Sequence, residues 1–184
     1  QGQQRLRRQR TDLRALLRES INKGESSSLL QGKELLPTIP TAPMPQLLVN
    51  RTLIQHLIDI LLNHAIHFTP AHGLITVDMA VTVDVMHQGS LYKETKRPLM
   101  QLTIIDQGPS LPDKVLTDLY EFVEEWDVLV SDRVGSGLSL ALCQMIAEVH
   151  EGTLTITNQQ PQGVCYVLAL PIPDSEWSPH TTAR

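Results

Sequence analysis

An aspartate and a glycine follow a short apolar run, at Asp106 and Gly108. A carboxylate at a strand end lies at the mouth of a sheet, where it can accept a hydrogen bond from an amino group such as the exocyclic amine of adenine. Glycine at this position would let a flat ring approach the backbone, because glycine has no Cβ atom. An ordinary Asx turn beside Pro109 explains the same residues, so this segment alone leaves both interpretations open.

Two more glycines, Gly135 and Gly137, stand just before an apolar pattern of helical period. Backbone N–H groups at a helix N-terminus bind phosphate, and glycine lets the phosphate come close. A flexible start of a helix explains the pair equally well. The preceding segment, residues 113–134, is rich in aspartate and glutamate, which is typical of a solvated loop.

A third polar segment closes a helical pattern with the sequence LIDILLNHAIHFTP, residues 57–70. Its candidate binding side chains are Asn63, His64 and His67. The histidines of the chain form no HExxH pattern, so no zinc-protease site is predicted. His150, at the end of a second helical pattern, is interpreted as a structural residue.

The periodicity of apolar residues predicts the helices that would carry these segments. Apolar positions recur at helical spacing over residues 53–68, with Thr52 as the capping residue and Thr69-Pro70 as the stop. The width of this apolar stripe indicates a helix that packs on a sheet. Further helical patterns cover 113–126 and 137–149, with irregular residues 127–134 between them.

Alternating apolar and polar residues predict the strands. The alternation runs over residues 74–86, and 99–105 form its partner strand, with polar residues 87–98 as the hairpin loop. A second hairpin is predicted over 153–158 and 164–170. Strands grouped in hairpins with helices between them indicate an α+β fold, a two-layer α/β sandwich whose mixed sheet is covered on one face by helices.

The charge and the predicted structure of the chain change near residue 30. Residues 1–23 carry seven basic and two acidic side chains, although the whole chain has a net charge of −5. A basic arm can bind nucleic acid, but leucines at helical spacing favour an amphipathic helix over residues 3–22 that packs on another element. The predicted organisation is a helical arm over 1–30, a proline-rich connector over 31–46 leading to a short edge strand, a domain over 47–172 and a flexible tail over 173–184.

Composition bounds the class of protein. With 184 residues, 41% of them hydrophobic and 4% aromatic, the chain can bury one core built from Leu, Ile and Val. No apolar run reaches the roughly 18 residues of a membrane span. Cys143 and Cys165 belong to no CxxC pattern, so neither a disulfide scaffold nor a zinc site is predicted, and a cytoplasmic location is expected.

The three polar segments, in this order and spacing, resemble the ATP-binding catalytic domain of sensor histidine kinases, within the wider group that includes Hsp90, gyrase and MutL. The helix over residues 53–68 with its closing AIHFTP resembles the family's N box. Asp106-Gln-Gly-Pro-Ser resembles its Asp-x-Gly-x-Gly box, and Gly135-Ser-Gly-Leu-Ser-Leu its Gly-x-Gly-Leu-Gly-Leu box. The closing sequence GVCYVLALPIP is similar to the family's final strand. The resemblance covers roughly residues 47–172 and implies a Bergerat-type ATP-binding fold.

The chain departs from the family pattern on the side that holds the metal. The two N-box asparagines, which hold Mg²⁺ and the phosphates in the family, align with Ile60 and His64. Isoleucine has no ligand atom, and histidine suits softer metals than Mg²⁺, although it could donate to a phosphate. Asn63 lies about 100° around the helix from His64, and His67 replaces the usual basic residue.

The resemblance implies a set of residues around the nucleotide. Asp106 and Gly108 would bind adenine, and the metal side would be reduced to His64 as the candidate ligand. Gly135, Ser136, Gly137 and Leu138 would bind the phosphates. Asn63 or His64 would make any remaining metal contact, and His67 completes the cofactor-binding set. No catalytic residue is expected on this chain, because the phosphoacceptor histidine belongs to the dimerisation domain.

The resemblance also implies an activity and partners. The domain would bind ATP with Mg²⁺ and present the γ-phosphate to a histidine on a separate dimerisation domain of a homodimeric, cytoplasmic or membrane-tethered kinase, whose phosphoryl group passes to a response regulator. Nucleic acid is not expected as a partner. The altered metal side leaves a second interpretation open, a degenerate pseudokinase or regulatory module that binds nucleotide weakly or not at all and signals through protein contacts.

Overall fold

The computed structural model describes residues 6–26, 32–88, 93–121 and 134–177. A 3-10 turn at Asp174–Glu176 follows the last strand. None of the helices in the described ranges is long and apolar enough to cross a membrane. In chain order the strands and helices are β1 (Gln9–Thr11), α1 (Leu13–Glu25), β2 (Glu34–Thr38), β3 (Leu47–Val49), α2 (Arg51–Phe68), β4 (Leu74–Gln88), β5 (Lys93–Ile105), α3 (Asp113–Glu121), α4 (Val134–Val149), β6 (Thr153–Asn158) and β7 (Val164–Pro171).

The main sheet has five strands in the order β2-β4-β5-β7-β6. β2 runs parallel to β4, whereas the other neighbouring strands are antiparallel, so the sheet is mixed. Successive side chains point to opposite faces: Ile75, Val77 and Met79 are buried, and Asp78 between them is exposed. The predicted α+β fold with a mixed sheet is confirmed.

The helices form the second layer. α2 and α4 contact each other and also contact strands of the sheet, so they cover the same face, and α1 packs on α2. Burial of one leucine or isoleucine side chain contributes about 1.5–3 kcal/mol of transfer free energy. The apolar stripe of α2 therefore contributes most to the packing of the helices on the sheet. The buried apolar residues of α2 are Ile54, Leu57, Ile58, Leu61, Leu62, Ala65 and Ile66.

The predicted helix over residues 3–22 is wrong in its first part. Residues 9–11 form β1, which pairs antiparallel with β3 in a separate two-stranded sheet. The side chain of Asp12 accepts a hydrogen bond from the N–H of Arg14 at 2.9 Å and so caps α1, which begins at Leu13. The amphipathic character is confirmed, because the leucines of α1 are buried in the shared core. The boundaries of a helical arm stay a prediction.

The connector and the first hairpin contain more strand than predicted. β2 lies within the predicted extended connector and forms an edge of the main sheet, a position that tolerates Pro37 because the strand has a neighbour on one side only. β5 begins at Lys93, so the predicted loop over 87–98 is mostly wrong. Val83 pairs with Pro98 and His87 with Glu94. The outer part of β5, residues 93–98, is polar, so it shows no apolar alternation to detect.

Helix boundaries differ from the predicted ones by a few residues. Asn50, not Thr52, caps α2, since its Oδ1 accepts from the N–H of Leu53 at 3.0 Å. α2 ends before Thr69-Pro70, as predicted. α4 begins at Val134 instead of residue 137. Residues 122–126 of the third predicted helix, the irregular stretch up to residue 133, and residues 178–184 of the tail lie outside the described residues.

His150 joins the end of α4 to the start of α2. Its Nε2 lies 2.9 Å from the backbone nitrogen of Asn50, and its Nδ1 lies 2.6 Å from the carbonyl oxygen of Ile146. A backbone N–H can only donate, so Nε2 accepts and Nδ1 carries the proton. Burial lowers the pKa of His150, which favours this neutral form. The predicted structural role of His150 is confirmed.

Candidate functional site

Asp106 directly follows β5 and is 1% exposed. Its Oδ1 accepts hydrogen bonds from the N–H groups of Gly108 at 2.8 Å and Val164 at 3.1 Å. Its Oδ2 has no hydrogen-bond partner within the described ranges. The two interpretations of this segment are therefore compatible: Oδ1 closes the turn, and Oδ2 remains a buried acceptor for an amino group.

The charge state of Asp106 reflects two opposing influences. Burial raises the pKa of the carboxyl group, because the charged form loses its hydration. The N–H groups of Gly108 and Val164 and the Tyr166 hydroxyl work in the opposite direction, since they donate to the charged form. A hydrogen-bond donor on a ligand would add to this second influence.

Two glycines allow the chain to pack tightly around Asp106. A Cβ atom on Gly108 would lie 2.8 Å from the carbonyl oxygen of Phe68, so this glycine lets the turn after β5 approach the end of α2. Gly163, in the β6–β7 turn, has a φ of +117°, and a Cβ atom there would collide with the carbonyl oxygen of Asp106. Both glycines thus let neighbouring segments pack closely against the turn that carries Asp106.

Tyr166 and His64 form a buried pair beside Asp106. Tyr166 lies on β7 and is 1% exposed, and its hydroxyl oxygen is 2.8 Å from Nδ1 of His64 on α2. The His64 ring also packs against the ring of Phe68, with centroids 4.5 Å apart. His64 is 8% exposed, and its Nε2 has no hydrogen-bond partner among the described residues.

The charge states of this pair follow from burial. Burial, together with a smaller electrostatic repulsion from His67, lowers the pKa of His64 to about 4. Burial and the nearby Asp106 carboxylate raise the pKa of Tyr166. At pH 7, His64 is therefore neutral and Tyr166 keeps its phenolic proton.

The other N-box positions do not gather around His64. Asn63 and His67 are exposed on α2, with His67 in edge contact with the ring of Phe68 at 4.9 Å. Ile60 is half-buried and packs against the hydrophobic core. In the described part of the chain, no three His, Cys, Asp or Glu side chains come together in a way that could hold a metal. The geometry gives no support to His64 as a metal ligand.

Gly135, Ser136, Gly137 and Leu138 belong to the first turns of α4, inside the helix and not before it. The first four N–H groups of a helix lack intrahelical partners, and in α4 these include Gly135, Ser136 and Gly137 but not Leu138. Such groups can bind phosphate. The surroundings of these side chains lie outside the described residues, so their role in a site stays a prediction.

Two residues of this region were missed at the level of sequence. Tyr166 is an aromatic hydroxyl in an otherwise aliphatic strand, and a buried hydroxyl needs a hydrogen-bond partner. That mismatch was a signal for a polar group in the core, although it does not identify the partner. The contact of Gly163 with Asp106 joins residues far apart in the sequence, and no local pattern reveals it.

Comparison with known proteins identifies the family of this chain. The family model for histidine kinase-, DNA gyrase B-, and HSP90-like ATPases matches residues 49–174. The chain is 31% identical over 131 residues to the adaptive-response sensory kinase SasA of Synechocystis sp., covering 70% of this chain and 30% of that protein. It is 27% identical over 174 residues to SasA of Synechococcus sp. strain CC9311, covering 89% of this chain and 39% of that protein.

Solved structures share the fold. The catalytic domain of histidine kinase ThkA superposes with a TM-score of 0.66 at 18% identity, covering 92% of this chain and 99% of that one. The mycobacterial sensor histidine kinase MprB gives a TM-score of 0.64 at 20% identity, covering 89% of this chain and 97% of that one. The chain thus belongs to the histidine kinase-, DNA gyrase B-, and HSP90-like ATPase family, and it has the fold of a sensor histidine kinase catalytic domain.

Proposed function

We propose that this domain binds ATP and presents the γ-phosphate to a histidine on a separate dimerisation domain. The observation that carries the proposal is the buried Asp106, whose Oδ1 is held by two backbone N–H groups while Oδ2 keeps unused acceptor capacity. An acceptor of this kind suits the exocyclic amino group of adenine. Membership of an ATPase family supports ATP as the nucleotide.

Each predicted residue has a role in this proposal. Asp106 binds the amino group of adenine in the turn that Gly108 shapes. The N–H groups of the first turns of α4 bind the phosphates, which gain from the positive end of the helix dipole. The domain forms no covalent intermediate, so its contribution is positioning and charge neutralisation. These phosphate-binding positions are Gly135, Ser136, Gly137 and Leu138, with Asn63, His64 and His67 as further polar contacts.

The Asp106→Asn variant should bind ATP about 10- to 100-fold more weakly than the unmodified protein. The asparagine oxygen can still close the turn, but its NH₂ group then replaces Oδ2 and opposes the amino group of adenine. Isothermal titration calorimetry with ATP checks this. Asp78→Asn is the matched control, because it makes the same charge change on an exposed strand position. If the Asp106→Asn variant and the control bind ATP with equal affinity, Asp106 does not contact the nucleotide.

A second candidate function is a degenerate module that signals through protein contacts. Ile60 and the buried, neutral His64 favour it, because they stand where the family has the metal-binding asparagines. Mg²⁺ prefers oxygen ligands, and these two side chains offer none.

ATP binding should therefore be nearly insensitive to Mg²⁺. The double variant Ile60→Asn with His64→Asn should raise ATP affinity in magnesium buffer more than in chelator, because it supplies oxygen ligands. Parallel titrations in magnesium and in EDTA check this, with Ile60→Leu as an apolar control. Tight ATP binding by the unmodified protein that chelator abolishes would reject the degenerate interpretation in favour of an intact kinase.

Properties of the complete protein are also proposals, since the chain spans 30% to 39% of the length of the two kinases above. We propose a homodimer formed through the dimerisation domain, with residues 1–30 as the end of that region and its linker. A response regulator is the proposed acceptor of the phosphoryl group, and ADP the product. We propose a cytoplasmic location for this domain and no nucleic-acid partner.

A further inference from the structure

The end of α4 carries a residue that fits its position poorly. Glu151, two residues after the helix, has a φ of +61°, in the left-handed region that glycine usually occupies at a helix end. Its negative charge also lies at the negative end of the helix dipole. Gly152 is the next residue, but it packs against β7, where a Cβ atom would collide with the carbonyl oxygen of Ala169. Both the conformation and the charge of Glu151 therefore need an explanation.

Arg8 supplies this explanation. Its guanidinium donates from Nη1 to the carboxylate of Glu151 at 2.8 Å and from Nη2 to the carbonyl oxygen of Val149 at 2.8 Å. The last four carbonyl groups of a helix have no partner inside the helix. In α4 the ring of His150 and backbone N–H groups of the turn bond to the first three, at residues 146–148, and Arg8 bonds to the fourth. Arg8 thus completes the end of the helix, and Glu151 holds it there.

A second arginine attaches the same segment of chain to the domain. Arg8 lies directly before β1, and Arg10 within β1 forms an ion pair with Glu176 of the 3-10 turn. β1 itself is short, with three residues paired to β3. The ion pairs are exposed, since the side chain of Glu151 is 62% exposed and that of Arg10 60%. Exposed ion pairs are weak and are screened by salt, so this attachment can be released while the core stays folded.

We propose that residues 8–11 form a releasable strap, in which Arg8 and Arg10 dock the chain on the end of α4 and on the 3-10 turn, with Glu151 as the receptor of Arg8. The docked strap fixes the direction in which the chain enters the domain. Its use rests on the proposed function, because a domain that presents a γ-phosphate to a histidine on another domain must be oriented. Release of the strap leaves the domain free to turn about the preceding chain.

Hydrogen exchange of the 184-residue protein measures the docking of the strap. In Glu151→Gln and in Arg8→Gln, amide protection over residues 9–11 should fall about two- to fivefold, the range expected for one exposed ion pair. The double variant should lose no more than the weaker single variant, because both changes break one contact. Salt at about 1 M should bring the unmodified protein toward Glu151→Gln. Glu148→Gln is the matched control, since it makes the same charge change on an exposed residue of α4.

Glycine at position 151 distinguishes a receptor from a residue that only ends the helix. Glu151→Gly should unfold in urea no more easily than the unmodified protein, because glycine adopts a positive φ without steric cost. Protection over residues 9–11 should nevertheless fall as in Glu151→Gln. Protection that neither Glu151 variant changes, or that Glu148→Gln lowers equally, overturns the inference. A loss of protection that extends to α2 reports general destabilisation and overturns it too.

The proposed function is measured separately, by ATP titration of the unmodified protein, whereas the strap is measured without nucleotide. Normal ATP binding with unchanged protection in the Glu151 variants overturns the strap and keeps the proposed function. A protein that binds no ATP but shows the expected loss of protection overturns the proposed function and the orienting role. The docking of residues 8–11 by Arg8 and Glu151 then stands by itself.

Discussion

The Gly163→Ala variant is expected to unfold about 3 kcal/mol more easily than the unmodified protein and to lose most of its ATP affinity. Gly163 has a φ of +117°, which L side chains rarely adopt, and this conformation costs an alanine about 1–3 kcal/mol. The added Cβ atom also collides with the carbonyl oxygen of Asp106. Relief of the collision must move one of the two backbones, and Asp106 is held by hydrogen bonds to the residue next to Gly163.

Gly32→Ala is the matched control for this prediction. Gly32 also has a positive φ, +76°, but no atom lies within 4 Å of the place where its Cβ would be. This variant should lose only about 1 kcal/mol, the conformational cost alone. Urea unfolding and ATP titration of both variants measure the two effects. If Gly163→Ala is as stable as Gly32→Ala and binds ATP normally, the contact with Asp106 does not support the site.

Apolar patterns predicted α2, β4 and the buried strand β7, and they overlooked β2 and the outer part of β5. The stripe of α2 and the alternation of β4 were readable because one face of each is buried and the other is exposed. β2 has one half-buried residue among five and a proline, and the outer part of β5 is polar. These segments become strands because they hydrogen-bond to a neighbouring strand. The local sequence does not reveal that neighbour.

The residues of the candidate site were likewise predictable only where the signal is local in the sequence. Asp106 was predicted from its place after an apolar strand, because a carboxylate, a turn and a glycine within three residues are a local signal. The pairing of Tyr166 with His64 joins residues 102 positions apart. His64 was predicted as a polar contact of the N box, but its burial, its bond to Tyr166 and its lowered pKa depend on the packing of α2 against the sheet.

Acidification should destabilise this domain, and His64 should account for about 3 kcal/mol of the loss between pH 7 and pH 4. The pKa of His64 is about 4 in the folded protein, against about 6.5 when unfolded. The unfolded state therefore binds more protons below pH 6.5, so stability falls as pH decreases through this window. Near pH 4 the folded state also takes up the proton, and the contribution levels off.

The difference between two proteins isolates this contribution. His64→Asn has no titratable ring, yet its amide oxygen can accept the hydrogen bond of the Tyr166 hydroxyl. Its free energy of unfolding, measured by urea titration from pH 7 to pH 4, should fall about 3 kcal/mol less than that of the unmodified protein. The lowered pKa values of His150, Asp59 and Glu151 give a loss of the same sign, and the raised pKa of Asp106 acts in the opposite direction. These four groups are present in both proteins, so their effects cancel in the comparison.

His67→Gln provides the companion measurement. It keeps the buried ring of His64 and removes the neighbouring positive charge that helps to lower its pKa. The pKa of His64 should rise slightly, because burial remains the larger cause. The pH dependence should then stay close to that of the unmodified protein and become a little shallower. If His64→Asn and the unmodified protein instead lose stability in parallel, His64 is not buried in its neutral form.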